Sequence, residues 1–254
     1  MPRFKLVLEY DGGGFVGWQR QENGFSVQQA LEEAVFRFAN ETVTAVAAGR
    51  TDAGVHASGQ VAHVDLARDW PPQTVIDATN FHLRPAPAVV LSCERVEGNF
   101  HARFDARRRH YRYRILTRAA PPILDRERVW HLPMTLDVAA MQAAARVLVG
   151  RHDFSSFRAA TCQALSPVKT LDVLDAARDG DEVVVRASAR SFLHHQVRAM
   201  VGSLKLVGEG KWGAADLEGA LEARDRAAAG PTAPAAGLYL VRVDYGTNQD
   251  STAD

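Results

Sequence analysis

The segment Phe4-Lys-Leu-Val-Leu-Glu-Tyr10 decides how the fold begins. Phe4, Leu6 and Leu8 alternate with the residues between them and with Glu9, and a period of two predicts a β-strand with one buried face. After a glycine-rich loop, Ser26 and Gln29 fit a capping box that opens an amphipathic helix. The segments that follow predict a strand at 43–48, a strand at 59–66, a helix at 71–83 and a strand at 88–96. The order is therefore β-α-β-β-α-β.

The second half repeats this order without repeating the residues. Its clearest signal is the turn Arg178-Asp-Gly-Asp181, because an Asp-Gly pair between two strand-like runs is typical of a β-hairpin. The predicted elements are strands at 109–117, 168–177, 182–190 and 238–244 and helices at 137–149, 193–207 and 214–224. We therefore predict an α+β fold of two ferredoxin-like halves with a mixed, mainly antiparallel sheet. The predicted domains are 1–100 and 101–246, followed by a polar, frayed tail at 247–254.

The composition is that of an ordinary globular chain. Its 254 residues are 46% hydrophobic and 24% charged, and no apolar run approaches the roughly 18 residues that a membrane helix needs. The apolar run in Met1–Val7 is too short for a signal peptide, so we expect a cytoplasmic protein. Cys93 and Cys162 form no CxxC pair and have no histidine at ligand spacing, which predicts neither a disulfide framework nor a metal site.

The charge is balanced but segregated. Thirty basic and thirty acidic side chains give zero net charge, which alone argues weakly against a nucleic-acid partner. Between His101 and Arg118, however, seven arginines accompany one acidic residue, Asp105. The zero therefore conceals a basic segment.

Aromatic residues interrupt this basic segment. In Arg107–Arg114, alternation places Tyr111 and Tyr113 on one face of a strand and the basic residues between and beside them on the other. Arginines neutralise phosphates, and a tyrosine ring stacks on an unpaired base. A strand with one buried aromatic face and one solvated charged face fits the same pattern.

The loop Gly49-Arg-Thr-Asp-Ala-Gly-Val-His-Ala57 is the second unusual feature. Arg50 and Asp52 share a short turn, in which a guanidinium would keep a carboxylate ionised. A surface ion pair is the alternative. No second carboxylate accompanies Asp52, so the sequence does not favour a two-carboxylate glycosidase.

A third candidate region lies on the predicted helix at 193–207. His194 and His195 are adjacent and should diverge on a helix, and no HExxH pattern is present, so we predict no metal site. Arg198 lies one turn beyond His194 and shares a polar stripe with Lys205. A solvated helix face is the alternative.

Taken together, the ordered motifs resemble those of the bacterial tRNA pseudouridine synthase A family over nearly the whole chain. They are Tyr10-Asp-Gly with Phe15-x-Gly-Trp-Gln-Arg20-Gln; Ser26-Val-Gln; Gly49-Arg-Thr-Asp52-Ala-Gly-Val-His56-Ala; Phe100-His-Ala-Arg103-Phe; Tyr111-Arg-Tyr113; His152-Asp-Phe-Ser-Ser-Phe157; Ser166-Pro-Val; Phe192-Leu-His-His-Gln-Val-Arg198-x-Met-Val-Gly202; and Ala235-x-Gly237-Leu-Tyr-Leu. Thr161 departs from the family, which often has glycine there.

The resemblance implies a pseudouridine synthase fold with a central basic cleft. It implies an isomerase that converts uridine to pseudouridine at positions 38, 39 and 40 of the tRNA anticodon stem-loop, working as a homodimer. It implies neither a cofactor nor a metal, because the reaction involves no redox change and no group transfer.

The resemblance also assigns roles to four residues. Asp52 matches the catalytic aspartate, Arg50 an arginine that assists base flipping, Tyr111 a tyrosine that stacks on the target base, and Arg198 an arginine that pairs with the aspartate. Supporting RNA contacts are expected from Arg103, Arg107, Arg109, Arg112, His194 and Lys205.

One carboxylate suffices for this chemistry, because the departing uracil is a delocalised anion. An ionised Asp52 would either attack C1′ or remove the C2′ proton, and the sequence leaves both open. Two other function classes stay open. A non-catalytic RNA-binding module would not need Asp52, and a nucleoside or glycoside hydrolase would release free uracil.

Overall fold

The computed structural model describes residues 1–246. This part of the chain contains ten β-strands and five α-helices. It forms two compact units, Met1–Arg109 with Leu240 onward, and His110–Tyr239. The tail expected at 247–254 lies outside the described residues. Within the described part, no helix has the length and hydropathy required to span a bilayer.

The first unit is ferredoxin-like. Its elements are β1 (Arg3–Tyr10), α1 (Val27–Ala39), β2 (Val46–Ala47), β3 (His56–Asp65), α2 (Pro72–Leu83) and β4 (Ala88–Val96). The strands lie in the order β4-β1-β3-β2, and each neighbouring pair is antiparallel. A helix follows the first and third strands, which confirms the predicted β-α-β-β-α-β order. The strand expected at 43–48 keeps only two residues.

The second unit follows the same logic with additions. Its elements are β5 (Ala106–Leu116), which begins in the first unit, β6 (Trp130–His131), α3 (Val138–Ala145), β7 (Gly150–Asp153), β8 (Val168–Asp179), β9 (Glu182–Ala189), α4 (Gln196–Gly208), α5 (Ala214–Ala223) and β10 (Leu238–Tyr245). The strand order is β5-β9-β8-β7, and β6 lies parallel to β5. The α+β prediction is confirmed. Strands β6 and β7 were not predicted, because two and four residues are too short to show a period.

The predicted hairpin joins β8 to β9 in antiparallel register, with Asp179 opposite Glu182. Gly180 has a φ of 56°, a left-handed conformation that glycine adopts without strain. The final strand, β10, was expected to complete the second half. Leu238 and Tyr239 belong to the second unit, and from Leu240 onward its residues belong to the first unit, where β10 lies beside β3.

The core of the first unit forms as the sequence predicts. Phe4, Leu6 and Leu8 on β1 have no exposed surface. The hydroxyl of Ser26 accepts the Gln29 N–H at 3.2 Å, which confirms Ser26 as the cap of α1, while the amide of Gln29 donates to Glu33 at 2.8 Å. β3 pairs with β1 from Ala57, opposite Tyr10, to Asp65, opposite Arg3, and the loop before β3 carries Asp52.

β3 also carries a buried histidine, His63, which is 4% exposed. Its Nδ1 accepts the Ala102 N–H at 3.1 Å. Burial, assisted by the positive charge of Arg3, lowers the pKa of His63 from 6.5 to about 4. The folded protein therefore holds His63 neutral at pH values where the unfolded chain binds a proton.

This difference predicts how stability depends on pH. Between pH 6.5 and 4 the unfolded state binds the additional proton, so His63 makes the free energy of unfolding fall as the pH falls, by up to about 1.4 kcal/mol per pH unit. We expect His63→Gln, whose side-chain oxygen can accept the same N–H, to lose less stability over this window. Denaturant unfolding at several pH values measures the difference, and parallel profiles for the two proteins would contradict it.

Candidate active site

Asp52 lies in the loop Gly49–Val55, between β2 and β3. The Val55 N–H donates to the Asp52 carbonyl oxygen at 3.1 Å, and Gly54, with a φ of 77°, completes the turn. Asp52 is half-buried, whereas Arg50 is exposed. The loop therefore holds its carboxylate near the protein surface and extends its guanidinium into solvent.

A second segment, at Gly17 and Trp18, runs beside this loop. Gly17 forms an antiparallel bridge with Asp52, and the Trp18 N–H donates to the Thr51 carbonyl oxygen at 3.0 Å. The φ of Gly17 is 108°, and a Cβ atom there would lie 2.7 Å from the Thr51 carbonyl oxygen. Only glycine fits between the two segments without strain.

Buried polar side chains form hydrogen bonds that hold the Asp52 loop on its interior side. The hydroxyls of Tyr10 and Thr51 are 2.8 Å apart, and Gln60 Nε2 donates to the Gly49 carbonyl oxygen at 2.7 Å and to the Tyr10 hydroxyl at 3.3 Å. Burial raises the pKa of Tyr10 to about 12, so its hydroxyl stays neutral. The backbone on the N-terminal side of Asp52 is thus held by a satisfied buried network.

The far end of the loop is equally crowded. The Gly12 N–H donates to His56 Nδ1 at 3.0 Å, and a Cβ atom on Gly12 would lie 2.2 Å from the Val55 carbonyl oxygen. His56 is 2% exposed. The glycine-rich segment after β1 therefore packs on the loop backbone at Gly12.

Arg109 fixes the start of the loop. Its guanidinium is 7% exposed and donates to the Ala48 carbonyl oxygen from Nε (3.2 Å) and Nη2 (2.6 Å), to Ala106 from Nη1 (3.0 Å) and to Arg103 from Nη2 (2.7 Å). Arg109 was expected to support RNA binding. In the structure, its donors stabilise the backbone of the first unit.

In the second unit, Tyr111 and Tyr113 differ in exposure. Tyr113 is fully buried, and its hydroxyl donates to the Pro234 carbonyl oxygen at 2.8 Å. Tyr111 is half-buried, and its ring meets Phe192 edge to face, with centroids 5.1 Å apart at 89°. Tyr113 therefore belongs to the core, and Phe192 fixes the ring plane of Tyr111.

The prediction that α4 begins at residue 193 is wrong. The helix begins at Gln196, because His195 has a φ of 64°, which is left-handed and cannot continue a helix. His194 and His195 therefore do not diverge as expected, and their ring centroids lie 4.1 Å apart. The Thr161 hydroxyl lies 3.4 Å from His194 Nδ1.

Arg198 and Lys205 lie on α4 in different settings. Arg198 is half-buried, and its Nε donates to the Ala233 carbonyl oxygen at 2.7 Å, which fixes the base of the side chain. Lys205 is paired with Glu209 at 2.6 Å, and Lys211 approaches the same carboxylate at 3.1 Å. Burial alone would raise the pKa of Glu209, but hydrogen bonds from both lysines lower it.

The other predicted RNA contacts fall into two groups. Arg103 and Arg107 are exposed. Arg112 is half-buried, with its guanidinium carbon 5.3 Å from the centre of the Tyr239 ring. The neighbouring Arg114 is paired with Glu182 at 2.6 Å. Some of the arginines in the basic segment therefore contact other side chains of the protein.

Sequence reasoning missed the residues that hold the Asp52 loop. Gly17 and Tyr10 lie inside the family motifs, but the motifs assign them no role. Gln60 reaches Tyr10 and Arg109 reaches Ala48, 50 and 61 positions away, and no local pattern reveals such contacts. In the sequence, the sign of such a residue is a polar side chain at an inward-facing position of a strand.

The chain is similar to known proteins over most of its length. The family model for tRNA pseudouridine synthase matches residues 6–105 and 144–246. Proteins named tRNA pseudouridine synthase A are similar to it in Methylobacterium sp. (strain 4-46), at 63% identity over 96% of this chain and 98% of the relative, and in Rhodospirillum centenum (strain ATCC 51521 / SW), at 63% over 96% and 100%. One from Paramagnetospirillum magneticum (strain ATCC 700264 / AMB-1) is 60% identical over 96% of each chain.

The crowding at Gly17 predicts a large effect of one methyl group. Gly17→Ala should lower the free energy of unfolding by about 1 to 3 kcal/mol, because alanine is strained at this φ and collides with Thr51. Gly219→Ala is the matched control. Gly219 lies in α5, and no atom lies within 4 Å of its added Cβ, so this change should stabilise by about 0.5 to 1 kcal/mol. Denaturant midpoints test both, and equal midpoints for the two variants would contradict the prediction.

Proposed function

The chain belongs to the tRNA pseudouridine synthase family, and we propose that it isomerises uridine to pseudouridine at positions 38, 39 and 40 of the tRNA anticodon stem-loop. It is an isomerase acting on tRNA, with the α+β fold of that family. The N1–C1′ bond of the uridine breaks, the uracil turns over, and C5 bonds to C1′. The C5 proton is lost and N1 gains one, so the atoms balance without a redox partner.

The observation that carries the proposal is the single carboxylate of Asp52 on a loop held from three sides. The bridge to Gly17, the Tyr10–Thr51 contact and the Arg109 hydrogen bonds to Ala48 fix the backbone that carries it. A fixed carboxylate requires little reorganisation when the reaction starts, and such preorganisation is a main source of catalytic rate. Asp52 is half-buried, so part of the residue stays exposed and a nucleotide can reach it.

We assign Asp52 the role of nucleophile or base. As a nucleophile it attacks C1′ while uracil leaves as a delocalised anion. As a base it removes the C2′ proton, and that proton returns when C5 bonds to C1′. In both routes Asp52 must be ionised, and we propose that Arg198 supports this charge.

We propose that Tyr111 stacks on the flipped base. The edge-to-face contact with Phe192 sets its ring plane, so the ring loses little freedom on binding. Flipping costs a few kcal/mol, and least where a base is already unpaired, as in an anticodon loop. The exposed Arg50 is proposed to assist that step.

The proposal extends to partners. The exposed Arg103 and Arg107 are proposed to contact phosphates, with Arg112, His194 and Lys205 as further contacts. Like the family it resembles, the chain is proposed to act as a homodimer in the cytoplasm, with no cofactor or metal.

Asp52 provides the test of the catalytic assignment. With tRNA tritiated at uridine C5, the wild type should release tritium, and Asp52→Asn should lower the rate by at least about a hundredfold while still binding tRNA. Asp69→Asn is the control, since Asp69 is a half-exposed carboxylate paired with Arg95 at 2.6 Å in the same unit. It should retain the full rate.

The alternatives give different results in the same assay. Normal release from Asp52→Asn would overturn the catalytic assignment. Free uracil among the products would indicate a hydrolase, and tRNA binding without tritium release by the wild type would indicate a non-catalytic binding module. Mapping pseudouridine in tRNA from cells that lack the gene, with and without complementation, tests positions 38, 39 and 40.

Salt dependence tests the proposed phosphate contacts. The logarithm of the tRNA binding constant should fall linearly with the logarithm of salt concentration, because each neutralised phosphate releases counterions. Arg107→Gln should reduce the magnitude of that slope by about one. Arg95→Gln should leave the slope unchanged, because Arg95 is already paired with Asp69. A binding constant independent of salt would contradict the proposed contacts.

A further inference from the structure

The turn His101–Asp105 presents an exposed aromatic ring on a fixed backbone. Phe104 is 69% exposed, although large apolar side chains are usually buried. The Asp105 N–H donates to the His101 carbonyl oxygen at 3.0 Å, and the His101 N–H donates to Asp105 Oδ2 at 2.7 Å. His101 Nδ1 accepts the N–H groups of Arg103 and Phe104 at 3.2 and 3.3 Å. The turn is thus closed by its own hydrogen bonds.

Side chains from three other segments fasten the same turn. His63 Nδ1 accepts the Ala102 N–H at 3.1 Å, and the Tyr245 hydroxyl donates to the Ala102 carbonyl oxygen at 2.7 Å. Arg109 Nη2 donates to the Arg103 carbonyl oxygen at 2.7 Å. The turn cannot easily move to bury the Phe104 ring, so the exposure of the ring is built into the fold.

A histidine and an arginine lie against the Phe104 ring. The His101 imidazole packs against the ring, with centroids 4.3 Å apart at an angle of 32°, and the Arg103 guanidinium carbon lies 5.8 Å from the ring centre. Arg107 is exposed, three residues before β5 enters the second unit at His110. The one acidic residue in this segment, Asp105, accepts a backbone hydrogen bond inside the turn.

The turn lies next to the loop that carries Asp52. The same Arg109 nitrogen, Nη2, donates to the Arg103 carbonyl oxygen at 2.7 Å and to the Ala48 carbonyl oxygen at 2.6 Å. Ala48 directly precedes the loop Gly49–Val55. One nitrogen therefore binds both the backbone next to Phe104 and the backbone that precedes the Asp52 loop.

We propose that Phe104, backed by His101 and flanked by Arg103, is a stacking platform for an unpaired base of the tRNA substrate. The assignment rests on the proposed function and adds a binding site to it. An open aromatic face beside arginines is the combination that binds single-stranded nucleic acid, since the ring stacks on a base while guanidinium groups neutralise the backbone. If the ring were the centre of a protein–protein interface, we would expect apolar side chains around it.

The test compares variants of Phe104 with a matched control. Phe104→Ala should raise the tRNA dissociation constant, measured in the Asp52→Asn background, about tenfold. In the active enzyme the loss should appear mainly in KM, with a much smaller change in kcat. Phe104→Trp should retain wild-type binding, and Phe104→Leu should not. Phe81→Ala is the control, because Phe81 on α2 is also 69% exposed but lies outside the basic segment, and it should change nothing.

Each contrary result has a distinct meaning. An unchanged dissociation constant for Phe104→Ala would remove the platform, and binding by Phe104→Leu equal to wild type would show that a flat ring is not needed. A change in oligomeric state of Phe104→Ala without RNA would show that the ring contacts a second copy of the chain. If the wild type formed no pseudouridine, the proposed function itself would be overturned. If the wild type formed pseudouridine normally and the Phe104 variants bound tRNA as tightly as the wild type, only the platform would be overturned.

Discussion

The guanidinium of Arg109 connects parts of the first unit that are distant in sequence. It donates to carbonyl oxygens of Ala48, Arg103 and Ala106, and it is 7% exposed. A buried cation is costly unless its donors are satisfied, and the backbone carbonyls satisfy them here. The position of the Asp52 loop and that of the Phe104 turn both depend on this contact. A lysine could not replace it, because one ammonium group lacks the planar fork of five donors.

The structure shows which of the clustered arginines are exposed and which are engaged in contacts within the protein. The arginines between His101 and Arg118 do not form one uniform basic surface. Arg109 holds backbone, Arg114 is paired with Glu182, and Arg103 and Arg107 remain exposed. Only the exposed ones can neutralise phosphates without giving up an internal contact. The number of phosphates bound should therefore be smaller than the number of arginines in the segment.

The two tyrosines of β5 and the start of α4 show what local patterns leave open. Alternation placed Tyr111 and Tyr113 on one face of the strand, but it could not tell that Tyr113 is buried in the core while Tyr111 is only half-buried. The apolar spacing of α4 was correct, yet its first residues were misplaced. The left-handed backbone at His195 depends on packing, and nothing in the spacing of side chains reports it.

The sequence by itself determined the α+β class, the order of the first six elements, the cap of α1 and the hairpin at Gly180, because each follows from contacts between residues near one another in the chain. Its motifs also identified the family. Only the tertiary structure decided which polar residues hold the Asp52 loop, that β10 joins the first unit from Leu240, and that Phe104 stays exposed on a fixed turn. Many of the contacts behind these features join residues far apart in the chain, such as Gln60 with Tyr10, 50 positions apart, and β10 with β3, and no local period encodes such contacts.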